Sequence, residues 1–184
     1  KYPEITIIAN CNIPGQPIEV IDEHYYSNPA FFINNAYKYD SYDRNGPKIY
    51  VGEFACTQEC GQGNLYAAIG EAAFMTGLER NSDVVIMSSY APLFVNVNDR
   101  TWNPDAICFD SSSSYGTPSY YVQKMFSENV GNRILPATLT DNTNPEILSI
   151  SGAVGLGSWE TQVEYDDFKV TSRVAGNILL PTFS

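Results

Sequence analysis

Side chains capable of acid–base or nucleophilic chemistry stand at the ends of two predicted β-strands. One strand ends in DEHYY, residues 22–26, which contains the only histidine of the chain, and the next ends in Gly52 and Glu53. A carboxylate in such a position can act as a nucleophile or as a general base. Glu53 or His24 alone could equally be a loop residue or a structural hydrogen-bonding residue. Their combination with tyrosine and tryptophan at one predicted edge of a sheet favours a functional site.

The pleat of the first of these strands sorts its side chains between the two faces of the sheet. Successive residues of a strand point to opposite faces, so Asp22, His24 and Tyr26 are predicted to share one face. Glu23 and Tyr25 are predicted to lie on the other face. A site that uses His24 therefore has Tyr26, rather than Tyr25, as its neighbour on the same face.

The elements that must position these residues alternate between strand and helix. Short apolar runs predict four strands, over residues 4–10, 18–26, 48–54 and 83–89. Three helices are predicted, the first opened by Ser27, Asn28 and Pro29, the second over 64–79 and the third from Pro118 to about Asn129. This alternation is typical of a parallel sheet in an α/β fold. It fits either half of an eightfold βα barrel or a small open sheet.

The alternation of predicted strands and helices stops after Pro136, where short segments separated by Gly, Asn and Pro replace the helices. We interpret residues 1–136 as one domain and 137–184 as part of an antiparallel β domain. Within the second segment, Trp159 is a possible sugar-stacking residue, although a core tryptophan is the more common situation. Asp166 and Asp167 are more simply a solvated turn than a calcium site.

Composition excludes several classes of partner. The 184-residue chain has 10 basic and 21 acidic residues, a net charge of −11 that would repel a nucleic-acid backbone. No apolar stretch approaches the length of a membrane span, and no metal or cofactor motif is evident. Cys56 and Cys60 lack the other ligands of a zinc site, and either a disulfide or two free thiols would fit them. Because residue 1 is not methionine, we expect the chain to be part of a longer product.

Two long motifs resemble the α-L-arabinofuranosidases of glycoside hydrolase family 51. They are IDEHYYSNPAFFINNAYKYDSYDRNGPKIYVGEFA and the run that begins GNLYAAIGEAAFMTGLERNSDVVIMSSYAPLFVN. The resemblance covers roughly residues 1–136. It implies a (β/α)8 barrel accompanied by a β-sandwich, with the four predicted strands as barrel strands five to eight. The expected fold is thus the C-terminal half of that barrel followed by a partial antiparallel β domain.

The resemblance also assigns roles to residues at the strand ends. Glu53 falls on the nucleophile of the family, and His24, Tyr25 and Tyr26 fall on a segment that lines the sugar pocket. A tyrosine of that segment can hold the nucleophile by a hydrogen bond, and the pleat favours Tyr26. Trp102 falls in a loop that borders the pocket in the family, and it is expected to form a wall of the sugar site.

The second catalytic group is expected to lie outside this chain. A retaining glycosidase needs two carboxyl groups about 5–5.5 Å apart, and the family's acid/base follows an asparagine on barrel strand four, which has no counterpart here. We therefore expect the isolated chain to be inactive and to need the other half of the barrel or a second copy of itself. In its native context it should release terminal arabinofuranosyl groups from arabinan or arabinoxylan, in an extracellular or periplasmic location. The alternative is a non-catalytic carbohydrate-binding or structural domain.

Overall fold

The structure, a computed structural model, describes residues 4–11, 14–139 and 150–153. The chain divides into two compact units, Lys1–Glu128 and Asn129–Ser184. The domain boundary predicted after residue 136 falls inside the second unit.

Trp159, Asp166 and Asp167 lie outside the described residues, so the sugar-stacking and calcium alternatives for them stay predictions.

The first unit is built on a parallel sheet of four strands with the order β1-β2-β3-β4. The strands are β1 (Ile8–Ala9), β2 (Val20–Ser27), β3 (Lys48–Cys56) and β4 (Val85–Tyr90). The helices are α1 (Pro29–Asn34), α2 (Leu65–Arg80) and α3 (Pro118–Glu128). The predicted alternation of parallel strands and helices is confirmed.

Short strands occupy the connection between β4 and α3, which the sequence predicts to be irregular. They form a small mixed sheet of β5 (Phe94–Asn96), β6 (Ile107–Phe109) and β7 (Ser114–Gly116). In the second unit, β8 (Pro136–Leu139) pairs antiparallel with β9 (Ile150–Ala153). This pair agrees with the antiparallel β character predicted for that segment.

Asparagine caps begin two of the helices. The Asn28 side chain accepts a hydrogen bond from the Phe31 amide at 2.8 Å, and the Asn64 side chain accepts one from the Ala67 amide at 2.8 Å. Such caps satisfy amides that have no partner within the helix. Apolar residues at helical spacing, Phe32, Ile33, Ala36 and Tyr37, predict a longer first helix than the observed α1, which ends at Asn34. The Asn35 side chain donates to the Phe31 carbonyl at 2.8 Å and ends the helix there.

The core between the sheet and the helices is aromatic. Phe32, Phe54 and Phe74 are fully buried, and each ring packs against the other two. Apolar residues at helical spacing predict the face of α2 that enters this core, and Ala68, Met75 and Leu78 of that stripe are buried there. Leu65 and Ile69 of the same stripe remain 65 % and 52 % exposed.

The buried face of α2 also includes two glycines. The surroundings of Gly77 explain why a residue without a side chain is needed there. A Cβ at Gly77 would stand 2.0 Å from the carbonyl oxygen of Ala36, which follows α1. Only a residue without a side chain permits this approach of the two backbones. The close packing of the two segments therefore selects the face of α2 that enters the core.

A β-bulge in β3 decides which face of the sheet Glu53 occupies. Glu23 pairs with Val51, but His24 pairs with Glu53, so Gly52 is an extra residue with no partner on β2. Before the bulge Val51 is buried in the core, and after it Phe54 is buried there. A regular pleat would have placed Glu53 on the same face as Val51. The bulge moves it to the opposite face, beside His24.

Candidate active site

Four polar side chains meet where β2 and β3 end, on the face of the sheet that points away from the helices. The Tyr26 hydroxyl donates to Oε2 of Glu53 at 2.6 Å. Nδ1 of His24 lies 3.5 Å from the same oxygen, and Nε2 of His24 lies 2.9 Å from Oδ2 of Asp22. Asp22, His24 and Tyr26 share one face, as the pleat predicts. The C-terminal ends of parallel strands are the usual place for catalytic groups in βα barrels.

The contact between Tyr26 and Glu53 is a hydrogen bond in which the hydroxyl is the donor. Partial burial, followed by the hydrogen bond to Glu53, raises the pKa of Tyr26 to about 12. The hydroxyl therefore keeps its proton at neutral pH and acts as a donor. A hydrogen bond given to a carboxylate favours the charged form.

The two oxygens of Glu53 have different surroundings. Both of the contacts described for this carboxylate are made to Oε2. The Glu53 side chain is 43 % exposed and the His24 side chain 39 % exposed, so the cluster is open to solvent on one side. A carboxylate held by one oxygen and open at the other can present the second oxygen to an electrophile.

Tyr25 does not join this cluster. It lies on the other face of β2, where its ring packs against Phe31 and Phe74 and its hydroxyl donates to Glu23. The hydroxyl of Tyr39 also donates to Glu23, at 2.6 Å. Because the sheet separates Tyr25 from Glu53, the structure gives Tyr25 a packing position and does not bring it to the predicted sugar site.

Trp102 lies in the connection between β5 and β6 and is 64 % exposed. The ring is thus available to contact a ligand. Its expected position as a wall of the sugar site stays a prediction.

A second group of polar side chains is buried beneath the end of β3, and sequence reasoning did not find it. Glu71 of α2 is completely buried and accepts a hydrogen bond from the Cys56 amide at 2.8 Å. Burial raises the pKa of Glu71 to about 7, although this hydrogen bond and the nearby Ser119 hydroxyl act in the opposite direction. The Ser119 hydroxyl lies beside Glu71 and Tyr90 but makes no hydrogen bond of good geometry. The signal in the sequence was a lone glutamate within an apolar helix face.

Cys56 and Cys60 are buried free thiols in the structure, so the alternative without a disulfide applies. Burial, with a smaller contribution from Glu71, raises the pKa of Cys56 to about 12. A thiol with such a pKa is not a nucleophile at neutral pH.

The part of the chain that the structure describes has neither a metal-binding cluster nor a membrane-spanning helix. Those residues contain no group of three or more histidine, cysteine or acidic side chains able to hold a metal ion. No helix within the same residues is long and apolar enough to cross a membrane.

Comparison with known proteins decides the family. A family model described as the α-L-arabinofuranosidase C-terminal domain matches residues 40–182. The chain belongs to the α-L-arabinofuranosidase family. The relationship agrees with the resemblance drawn from the sequence motifs, and it extends well past the strand that carries Glu53.

Individual relatives support this membership. The chain is 42 % identical to an extracellular exo-α-L-arabinofuranosidase of Streptomyces chartreusis, over all of this chain and 23 % of that protein. It is 49 % identical to α-L-arabinofuranosidase 2 of Arabidopsis thaliana, over 78 % of this chain and 22 % of that protein. It therefore spans about a quarter of the length of these arabinofuranosidases.

A solved structure supports the fold. An arabinose-bound GH51 α-L-arabinofuranosidase, MgGH51, superposes with a TM-score of 0.68 at 38 % identity, over 77 % of this chain and 25 % of that one. The predicted fold class is confirmed: the chain forms the C-terminal half of a barrel of this family, followed by a β domain.

Proposed function

We propose that this chain supplies the nucleophile of a retaining α-L-arabinofuranosidase, and that the nucleophile is Glu53. The observation that carries the proposal is the cluster at the ends of β2 and β3. There the Tyr26 hydroxyl holds one oxygen of Glu53 at 2.6 Å and His24 faces the same oxygen. Shared placement of His24 and Glu53 at one rim of parallel strands favours catalysis over a flat carbohydrate-binding surface.

The geometry supports different roles for the two carboxylate oxygens of Glu53. Oε2 of Glu53 accepts the hydrogen bond from Tyr26 and faces His24, which leaves Oε1 as the atom to attack the anomeric carbon of an arabinofuranosyl group. The attack forms a bond from Oε1 to that carbon and releases the leaving oxygen, which takes a proton from a general acid. Water then hydrolyses the glycosyl-enzyme ester and restores the carboxylate.

The general acid is not among the residues at this rim. We propose that it comes from the rest of a complete barrel and that the chain alone does not turn over substrate. The apolar side chains on the outer strand β4 support this view, because Ile86 and Met87 are 46 % and 44 % exposed. A parallel sheet normally has both faces and its neighbouring strands covered. The partner is the other half of the same barrel or a second copy of this chain.

The substrate class follows from the relatives. The Streptomyces relative is named an extracellular exo-enzyme, and MgGH51 was solved with arabinose bound. We propose that the complete enzyme removes terminal non-reducing arabinofuranosyl groups from arabinan or arabinoxylan, and that it acts outside the cytoplasm. Trp102 is proposed to contact the sugar from the loop after β5.

The decisive test is replacement of Glu53 by Gln in a complete enzyme that contains this segment. The amide keeps the size of the side chain but cannot form a stable glycosyl ester, so kcat on an aryl arabinofuranoside should fall by at least about a thousandfold. A slowly hydrolysed arabinofuranoside should add its mass to the peptide that contains Glu53 in the unchanged enzyme only. Glu59→Gln, the same chemical change in the loop after β3, is the matched control and should retain activity. Ordinary rates for Glu53→Gln would exclude the assignment.

The isolated chain provides a separate test. It should release no product from the aryl arabinofuranoside, and light scattering should show association rather than a stable monomer. Turnover by the isolated chain that is abolished in Glu53→Ala would show that the chain needs no external acid.

A further inference from the structure

Asp22 is the carboxylate of the cluster that the nucleophile assignment leaves unused. Its Oδ2 lies 2.9 Å from Nε2 of His24, and its side chain is only 19 % exposed against 43 % for Glu53. Its other oxygen, Oδ1, is shielded from solvent and has no protein partner among the described residues. Asp22 therefore stands behind His24, on the side away from Glu53.

Gly52 provides the space that Asp22 occupies. A Cβ at Gly52 would lie 2.1 Å from Oδ1 of Asp22 and 2.9 Å from its carboxyl carbon. The extra residue of the β3 bulge therefore has two effects. It turns Glu53 to the face that carries His24, and it leaves room for the carboxylate that holds His24.

We propose that Asp22 is a positioning residue that fixes the proton on Nε2 of His24 and the orientation of the His24 ring beside Glu53. This inference rests on the proposed role of Glu53, but it concerns the state of His24 and not the hydrolytic reaction.

The contact between Asp22 and His24 matters because it determines which nitrogen of the imidazole ring carries the proton. In the neutral ring one nitrogen carries a proton and the other is an acceptor. A carboxylate accepts and does not donate, and the Asp22 oxygen lies 2.9 Å from Nε2 whereas the Glu53 oxygen lies 3.5 Å from Nδ1, so Asp22 rather than Glu53 places the single proton of the neutral ring, on Nε2. The orientation of the ring is then fixed beside Glu53, and the hydrogen bond to Oε2 of Glu53 comes from Tyr26. A hydrogen-bonded carboxylate behind a functional histidine sets its tautomer and orientation in this way.

The single histidine of the chain makes the proposal directly measurable. Nitrogen-15 NMR of the labelled full chain, at a pH high enough that the ring carries one proton, identifies which nitrogen is protonated. We expect one dominant form with the proton on Nε2. Asp22→Asn should lower the ratio of Nε2-protonated to Nδ1-protonated ring by about tenfold, because the amide has no charge and can donate to an unprotonated Nε2 as well as accept from a protonated one.

Two further variants keep the test decisive. Gly52→Ala alters no charge, but its methyl group would displace the Asp22 carboxylate, so it should change the ratio in the same direction. Asp99→Asn removes one negative charge from an exposed turn and should leave the ratio unchanged. A ratio that is the same in the unchanged chain and in Asp22→Asn would overturn the proposal, as would a ring protonated on Nδ1 from the start. An equal change in Asp99→Asn would also overturn it, because the effect would then be one of net charge.

The outcome is independent of the nucleophile test. The tautomer measurement needs no substrate and no general acid, so loss of the Glu53 assignment would leave its result intact. Conversely, failure of the tautomer prediction would leave Glu53 as the nucleophile. In an active enzyme that contains the segment, Asp22→Asn should lower kcat more than it raises KM, since Asp22 touches no substrate.

Discussion

Glu71 offers a test of the structure that needs no catalytic activity. This glutamate is completely buried under the end of β3, and burial raises its pKa to about 7 from an ordinary value of 4.5. The difference corresponds to about 3 kcal/mol, at about 1.4 kcal/mol for each pKa unit. The change to make is Glu71→Gln, which keeps the carbonyl oxygen that accepts the Cys56 amide but cannot ionise.

The direction of the effect follows from proton linkage. Between pH 4.5 and 7 the folded chain holds a proton on Glu71 that the unfolded chain has released. Stability therefore falls as the pH rises through this window, and it is lowest, with respect to this group, above pH 7. The stability of Glu71→Gln relative to the unchanged chain should accordingly rise by about 2–3 kcal/mol between pH 5 and pH 8.

Urea unfolding followed by circular dichroism, at several pH values, measures this difference. Glu128→Gln, the same change at the exposed end of α3, is the control, and its stability relative to the unchanged chain should stay nearly constant with pH. If Glu71→Gln and the unchanged chain differ by the same amount at pH 5 and pH 8, then Glu71 is either hydrated or ionised throughout. The reasoning from its burial would then be wrong.

Three other changes test the site and the packing that supports it. Tyr26→Phe removes the hydrogen bond to Glu53 and should lower kcat about tenfold in an active enzyme that contains the segment; an unchanged kcat would mean that Oε2 is not held in catalysis. Gly77→Ala would gain about 1 kcal/mol from helix propensity alone. The contact with the Ala36 carbonyl should instead make it less stable by about 1–2 kcal/mol in urea unfolding, and a gain in stability would contradict the close approach. Glu23→Leu leaves buried tyrosine hydroxyls without an acceptor and should cost about 3 kcal/mol in the same assay; a cost near zero would show that the hydroxyls find other partners.

Local chemistry made much of this fold predictable from the sequence. The asparagine caps Asn28 and Asn64 act through neighbouring amides, so the starts of two helices follow from a few adjacent residues. The contact of Tyr26 with Glu53 followed from the pleat of one strand and from a family resemblance that brought the two strands together.

Features that depend on distant packing could not be predicted in this way. The close approach of α2 to a neighbouring segment at Gly77 is one such feature, because a helical stripe contains no information on that approach. The family resemblance grouped Tyr25 with the site, whereas the pleat of β2 already predicts the opposite face, where its ring packs against the core. The contact of Asp22 with His24 follows from the pleat of β2, but the space for its carboxylate depends on the bulge at Gly52 in β3, which β2 alone does not reveal.

The bulge at Gly52 has a consequence for how this strand can evolve. Substitution in β3 changes one side chain at a time, and the protein can pass through many intermediates. If Gly52 paired with His24 and the bulge disappeared with no residue lost, the ladder would be regular and the two faces would exchange for everything beyond Val51. The carboxylate would then enter the hydrophobic interior while a phenylalanine entered the substrate face. Loss of Gly52 itself would also make the ladder regular, but Glu53 would then follow Val51 directly and keep its face. A change of one residue in the length of β3 is therefore tolerated by the alternation of faces only where it removes the bulge.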